Sequence, residues 1–306
     1  MRPPQTPAEI ELPRWLDRSL YPFVPRAFAS DDGRMSYVDE GAGRPVVFVH
    51  GTPTWSFLYR HLIARLAEHR RVVAVDHLGF GLSDKPPRAP YEPKDHTRRL
   101  VALLDALDLT DVTLVVHDFG GPIGLGAALA RPERVTRLAL FNTWMWSIAD
   151  DPRIARGAKV AGSAVGRLLY RYVNFPVRVL MPKVVADARA LTPQIRRHYA
   201  APLASPDERM GAWACAKALT ASGPWFESLW SERARLRGMP MLLLWGAADP
   251  TFGPSYLARW RQAFPDAEAH TLATSGHFVP EEAPEEASAL LEKFVLSDLP
   301  RRVAAS

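Results

Sequence analysis

With 306 residues, 47% of them hydrophobic and 23% charged, the chain is long enough to bury a large core, which excludes a disordered or fibrous protein. The net charge of +5 and pI near 9.5 come from arginines scattered through predicted helices, so nucleic acid is not an expected partner. No apolar run reaches the roughly 18 residues that a membrane span needs, and no membrane partner is expected.

At the N-terminus, residues 1–7 have no apolar h-region, so no secretory signal and a cytoplasmic location are expected. Residues 22–29 and 35–39 then read as a hairpin, followed by an apolar strand at 45–49, a helix over 57–68 and a strand at 71–75. A βαβ rhythm continues through a helix at 95–107, a strand at 112–116, a glycine-led helix from Gly120 and a strand at 137–141. This alternation predicts an α/β fold with a mostly parallel sheet covered on both faces. From 143 to 238 the pattern is helical, rich in Trp, Arg and Ala and broken by Pro176, Pro182, Pro193, Pro202 and Pro206. It reads as a cap domain inserted between core segments 1–142 and 239–306, with the ligand cleft between cap and core. The core resumes with a strand at 241–245, a helix at 255–264, a strand at 269–273 and a helix at 284–294. Cys215, the only cysteine, excludes an internal disulfide and, with no second Cys or adjacent His, a metal site; it reads as buried filler.

The chemistry concentrates at strand ends. In Val115-Val116-His117-Asp118-Phe119-Gly120-Gly121 a buried strand turns sharply into a closely packed helix, a nucleophile elbow that lifts the Asp118 side chain clear of the sheet. Asp is also a favoured helix N-cap, which is the alternative role for Asp118. His50-Gly51-Thr52-Pro53 follows the 45–49 strand, where a loop N–H can supply half of an oxyanion hole. Asp249 follows the 241–245 strand and His277 the 269–273 strand; alternatively Asp249 forms a turn before Pro250, and His277 is a satisfied strand-end histidine. The order Asp118, Asp249, His277 is the nucleophile, acid, base order of the α/β-hydrolases, and no G-x-S-x-G is present for a serine enzyme.

The sequence resembles the haloalkane dehalogenases within the α/β-hydrolase group. The likeness rests on His50-Gly51-Thr52-Pro53-Thr54-Trp55-Ser56-Phe57-Leu58-Tyr59-Arg60, Asp76-His77-Leu78-Gly79-Phe80-Gly81-Leu82-Ser83-Asp84-Lys85-Pro86, the Asp118 elbow, Gly276-His277-Phe278 and the cap run 192–203. It implies displacement at an sp³ carbon of a small apolar substrate without cofactor or metal. Asp118 is the implied nucleophile, His277 the base, Asp249 the acid that orients it, and the backbone N–H groups of Thr52 and Phe119 the oxyanion hole.

One departure matters. The family commonly carries Trp after the nucleophile, and Phe119 has no donor for a departing halide, so the Thr52 hydroxyl and the indoles of Trp144 and Trp146 become the halide candidates, cap–core packing being the other role for the two tryptophans. An epoxide hydrolase would use the same triad with paired cap tyrosines, for which Tyr170, Tyr172 and Tyr199 are available. A β-lactone decarboxylase, or a non-catalytic ligand-binding protein on the same fold, are the further alternatives.

Overall fold

A computed structural model describes residues 10–298; the N-terminal segment in which the sequence lacks an h-region lies outside the described residues. Eight strands form one sheet in the order β1-β2-β4-β3-β5-β6-β7-β8. The antiparallel edge, β1 (Arg26–Ser30) and β2 (Gly33–Glu40), leads into the parallel strands β3 (Pro45–Val49), β4 (Arg71–Val75), β5 (Val112–Asp118), β6 (Val135–Thr143), β7 (Met241–Gly246) and β8 (Glu268–Leu272). Strands β3, β5 and β7 are buried along their whole length, the signature of parallel strands covered on both faces, and it explains why they read as unbroken apolar runs.

The covering helices are α1 (Arg60–Leu66), α2 (Pro93–Ala106) and α3 (Gly120–Ala130) in the first part of the chain. Between β6 and β7 the chain contributes α4 (Pro152–Gly162), α5 (Ala164–Leu168), α6 (Met181–Val184), α7 (Pro193–Ala200), α8 (Met210–Ala221) and α9 (Gly223–Ser231). Two π-helical turns, Leu169–Val173 and Pro176–Leu180, interrupt this insertion, the second opening on Pro176, which lacks a donor for the regular helical ladder. The C-terminal part adds α10 (Pro254–Ala263), α11 (Val279–Glu282) and α12 (Pro284–Leu296). Among the described residues no helix is long and apolar enough to cross a membrane.

The helix expected over 57–68 is in fact a 3₁₀ turn, Ser56–Tyr59, followed by α1. The 3₁₀ turn forms because Asp76, fully buried at the end of β4, accepts the Ser56 N–H at 2.8 Å and the Leu82 N–H at 2.9 Å, tying two loops over the sheet.

Candidate active site

The C-terminal ends of β3, β5, β7 and β8 converge on one apolar cavity of about 140 Å³. Ligands of open α/β sheets bind beyond these strand ends, at the point where the strand order reverses. Here that point lies between β3 and β5, and Asp118 ends β5 beside it. Its backbone is left-handed at φ +53, the strained turn that projects the carboxylate away from the sheet. Only glycine fits on either side: a Cβ at Gly120 would sit 2.0 Å from the Val49 carbonyl oxygen, and one at Gly51 would sit 2.1 Å from Asp118 Oδ1. Asp118 does not cap α3. Phe119 occupies the N-cap position, no side chain caps the helix, and Asp118 Oδ1 instead accepts the Thr52 N–H at 2.8 Å. The Phe119 N–H lies at a helix start, where the backbone N–H has no partner within the helix.

His277 lies between two carboxylates. Its Nδ1–H donates to Asp249 Oδ2 at 2.8 Å, and its Nε2 is 3.6 Å from Asp118 Oδ2. Burial alone would depress this imidazole, but the charge of Asp249, its hydrogen bond and the neighbouring Asp118 outweigh burial and raise it to about 10. Asp249 is held below the usual carboxylate range: burial works against its charge, while His277, the Thr251 N–H and the Asn142 amide favour it. Both neighbouring carboxylates thus favour the protonated form of the imidazole.

Several residues that fix this geometry were absent from the sequence-based set. Asn142 donates Nδ2–H to Asp249 Oδ2 at 2.9 Å and to the Gly246 carbonyl at 3.2 Å, and its Oδ1 accepts the Gly246 N–H at 2.8 Å, locking the start of the Asp249 loop to β6. His117 donates Nε2–H to the His277 carbonyl at 2.9 Å, and burial pushes its own protonation down to about 3, so it stays neutral. Glu282 accepts the N–H groups of Gly276 and Phe278 on either side of His277, and that of Ala186 from the insertion at 2.7 Å. Asn142 carried a usable signal, a polar residue just past a predicted strand; Glu282 carried none, because its role depends on a loop that folds back on it.

The structure brings Thr52, Asp118, Phe119 and His277 to the cavity wall, and Asp249 behind His277. It does not bring the two tryptophans there. Trp144 is fully buried behind Phe119, ring centroids 4.9 Å apart, with its indole N–H unpartnered. Trp146 packs among Trp230, Tyr256 and Trp260 under Arg259, so its apolar surface is consumed in that cluster. Of the three insertion tyrosines only Tyr170 lines the cavity; Tyr172 is 60% exposed, and the Tyr199 hydroxyl donates to buried Glu281 at 2.6 Å. Thr52 Oγ1 is buried without a hydrogen-bond partner. Cys215 is buried in α8, and burial holds its thiol protonated. No group of His, Cys, Asp and Glu able to hold a metal occurs among the described residues.

A family model described as the alpha/beta hydrolase fold matches residues 44–284. Haloalkane dehalogenase 2 of Mycobacterium tuberculosis is 37% identical over 281 residues, 91% of this chain and 97% of that protein. The cis-3-alkyl-4-alkyloxetan-2-one decarboxylase of Shewanella oneidensis is 32% identical over 286 residues, 90% of each chain. Among solved structures, the haloalkane dehalogenase DatA of Agrobacterium tumefaciens C58 superposes with a TM-score of 0.79 at 30% identity, covering 89% of this chain and 95% of that one.

Proposed function

The chain belongs to the haloalkane dehalogenase family of the α/β-hydrolase fold, and from this we propose that it converts a haloalkane and water to an alcohol and halide through an ester on Asp118. The observation that carries the reading is the carboxylate of Asp118, oriented by the Thr52 N–H into an apolar cavity, with His277 beside it and Asp249 behind.

In this reading Asp118 Oδ2 attacks the sp³ carbon in line, the carbon–halogen bond breaks with its electron pair going to the halide, and an alkyl ester forms. Esterification removes the Asp118 charge, one of the causes that keep His277 protonated, so its basicity falls and the ring releases its proton to solvent. His277 then takes a proton from a water that adds to the ester carbon, while Asp249 balances the imidazolium. The Thr52 and Phe119 N–H groups receive the tetrahedral oxyanion, each donor being worth about 3 to 4 kcal/mol where such donors have been removed. Collapse expels the alkoxide, which takes the proton from His277, and Asp118 is regenerated as a carboxylate carrying one oxygen from water, its carboxyl proton passing to His277. The helical insertion acts as the cap that closes the cavity against bulk water.

The departing halide needs a donor, since an uncompensated charge in an apolar cavity is expensive. Thr52 Oγ1 is the candidate, being at the wall and unpartnered. The epoxide reading calls for paired phenols and finds Tyr170 alone at the cavity; the non-catalytic reading is disfavoured by the 2.8 Å contact between His277 and Asp249. The oxetanone decarboxylase relative keeps β-lactone cleavage as the second reading. The test is halide release from bromo- and iodoalkanes, with styrene oxide and a cis-3,4-dialkyl oxetan-2-one in parallel, for the wild type and Asp118→Asn. Halide release that vanishes in the variant is expected; diol or alkene as the only product overturns the assignment.

A further inference from the structure

The segment from Pro152 to Ala186 is chemically unlike the rest of the surface. It contains seven basic residues, Arg153, Arg156, Lys159, Arg167, Arg171, Arg178 and Lys183, and no Asp or Glu. Only two of them are neutralised by ion pairs among the described residues, Arg153 by Asp151 and Arg171 by Asp207. The same segment holds six of the eight large hydrophobic side chains exposed among the described residues: Val160, Val165, Leu168, Tyr172, Val173 and Leu180. Val165, Leu168 and Tyr172 are 63%, 57% and 60% exposed and are spaced i, i+3, i+7 along one continuous helical run, so they form a stripe. On α4, Arg156, Lys159 and Val160 follow the same spacing rule.

A second cavity of about 390 Å³ opens on this face, with Arg156, Gly157, Val160 and Leu180 on its wall. It shares Tyr170, Leu180, Ala216 and Leu219 with the cavity at Asp118, so the two adjoin across an apolar wall of four side chains. Exposed apolar side chains set among cations, beside a cavity that adjoins the one at Asp118, fit a surface that seats in the interface of a negatively charged bilayer. The apolar stripe enters the acyl boundary, and Lys and Arg extend to the phosphates. A protein partner would have to supply a matching acidic face; anionic phospholipid supplies both the charge and the apolar phase in one surface. We propose that residues 152–186 dock the protein on anionic lipid membranes, from which a membrane-dissolved substrate passes through the adjoining cavities to Asp118. The absence of a spanning segment does not bear on this, because a surface contact needs none.

The test does not depend on catalysis. The full chain is sedimented with vesicles of pure phosphatidylcholine and of phosphatidylcholine with phosphatidylglycerol, at low and high salt. Expected is partition to the anionic vesicles that falls steeply as salt rises. Lys159→Glu/Arg178→Glu/Lys183→Glu should weaken it about tenfold or more, and Val165→Asp/Leu168→Asp should abolish it, with the circular dichroism and thermal transition of both variants unchanged. Equal partition of the charge-reversed variant, or no partition of the wild type, overturns the proposal. So does a wild-type dimer that Val165→Asp/Leu168→Asp dissociates and that ignores vesicles, which would make the face a contact between two copies. Halide release from a short bromoalkane in the charge-reversed variant separates loss of docking from failure of the catalytic reading.

Discussion

The Nε2 of His277 lies 3.6 Å from Oδ2 of Asp118, near enough for the carboxylate charge to act on the ring and too far for a hydrogen bond. In the proposed mechanism the nucleophile thereby raises the proton affinity of its own base. Asp118→Asn is therefore expected to lower the His277 pKa, read from the imidazole proton resonances in a pH titration. The same shift predicts a stability trend. A histidine whose folded pKa is raised from about 6.5 to about 10 contributes stability that is fully present below pH 6.5 and is lost as pH rises toward 10. Urea midpoints of the wild type should fall between pH 6.5 and 10, and those of Asp118→Asn should fall less.

Replacing His277 separates the two chemical steps. In His277→Gln the ester should form and persist, giving one equivalent of halide per enzyme and a mass increase equal to the alkyl group less one hydrogen, whereas Asp118→Asn should give neither. Intact-protein mass spectrometry after mixing with a bromoalkane reads this directly. Multiple turnovers in His277→Gln would remove His277 from the hydrolytic step.

Thr52 offers two donors with separable roles, the backbone N–H bonded to Asp118 and the hydroxyl left unpartnered at the wall. Thr52→Val keeps the shape and the N–H and removes only the hydroxyl. A hydrogen bond to a charged group is worth about 1.5 to 3 kcal/mol, so kcat/KM should drop about ten- to hundredfold. The drop should be larger for chloroalkanes than for iodoalkanes, because chloride carries the more concentrated charge. An equal loss across leaving groups would point to a packing effect instead.

The framework of this site was legible in the sequence because parallel strands bury both faces and end in the loops that carry chemistry. The apolar runs at 45–49, 112–116 and 241–245 each led to a polar residue just beyond, and Thr52, Asp118 and Asp249 were found that way. The backbone groups of Thr52 and Phe119 were also accessible, since elbow and loop fix main-chain position whatever the side chain. The tryptophans were not. Trp144 and Trp146 follow β6 by one and three residues, so proximity in sequence suggested the cleft, but the irregular stretch after β6 folds them under the insertion against Phe226 and Trp230. Side-chain direction in an irregular segment is set by packing partners remote in sequence, here supplied by α9. For the same reason Glu282 and the exposed apolar stripe at 165–172 escaped notice.

Asn142 holds Asp249 from behind, contributing one of its two amide donors. Asn142→Ala removes that bond and frees the Asp249 loop from β6, leaving the Gly246 N–H without its acceptor. A loss of about 1 to 3 kcal/mol in stability is expected. Ester hydrolysis should slow more than ester formation, seen as a raised steady-state fraction of alkylated enzyme. Equal slowing of both steps would show that Asn142 acts on Asp118 rather than on Asp249.

The insertion is tied to the core by a buried cluster. Arg60 of α1 forms a double hydrogen bond with Glu281 of α11, and the Tyr199 hydroxyl of α7 donates to the same carboxylate at 2.6 Å. Removing one charge of such a pair strands the other, so Arg60→Leu should cost about 3 to 5 kcal/mol. Arg60→Leu combined with Glu281→Leu should recover much of that loss, because no buried charge then remains. Thermal denaturation of the single and double variants measures the coupling; an additive double variant would show that the pair contributes little.

Two glycines should respond in opposite ways to the same change. Gly157 sits in the interior of α4, exposed, and a Cβ there meets nothing within 4 Å. Alanine keeps the helical conformation and lowers the entropy of the unfolded chain, so Gly157→Ala should stabilise by about 0.5 to 1 kcal/mol, a rise of about 2 °C in Tm. Gly51→Ala meets no such freedom, because its Cβ would lie 2.1 Å from Asp118 Oδ1. The carboxylate would have to rotate away from the Thr52 N–H, and both the attack angle and the oxyanion site would go with it. Gly51→Ala is expected to lose halide release while retaining a cooperative thermal transition. Normal turnover in that variant would show that the contact between the Thr52 N–H and Asp118 is not needed for the chemistry.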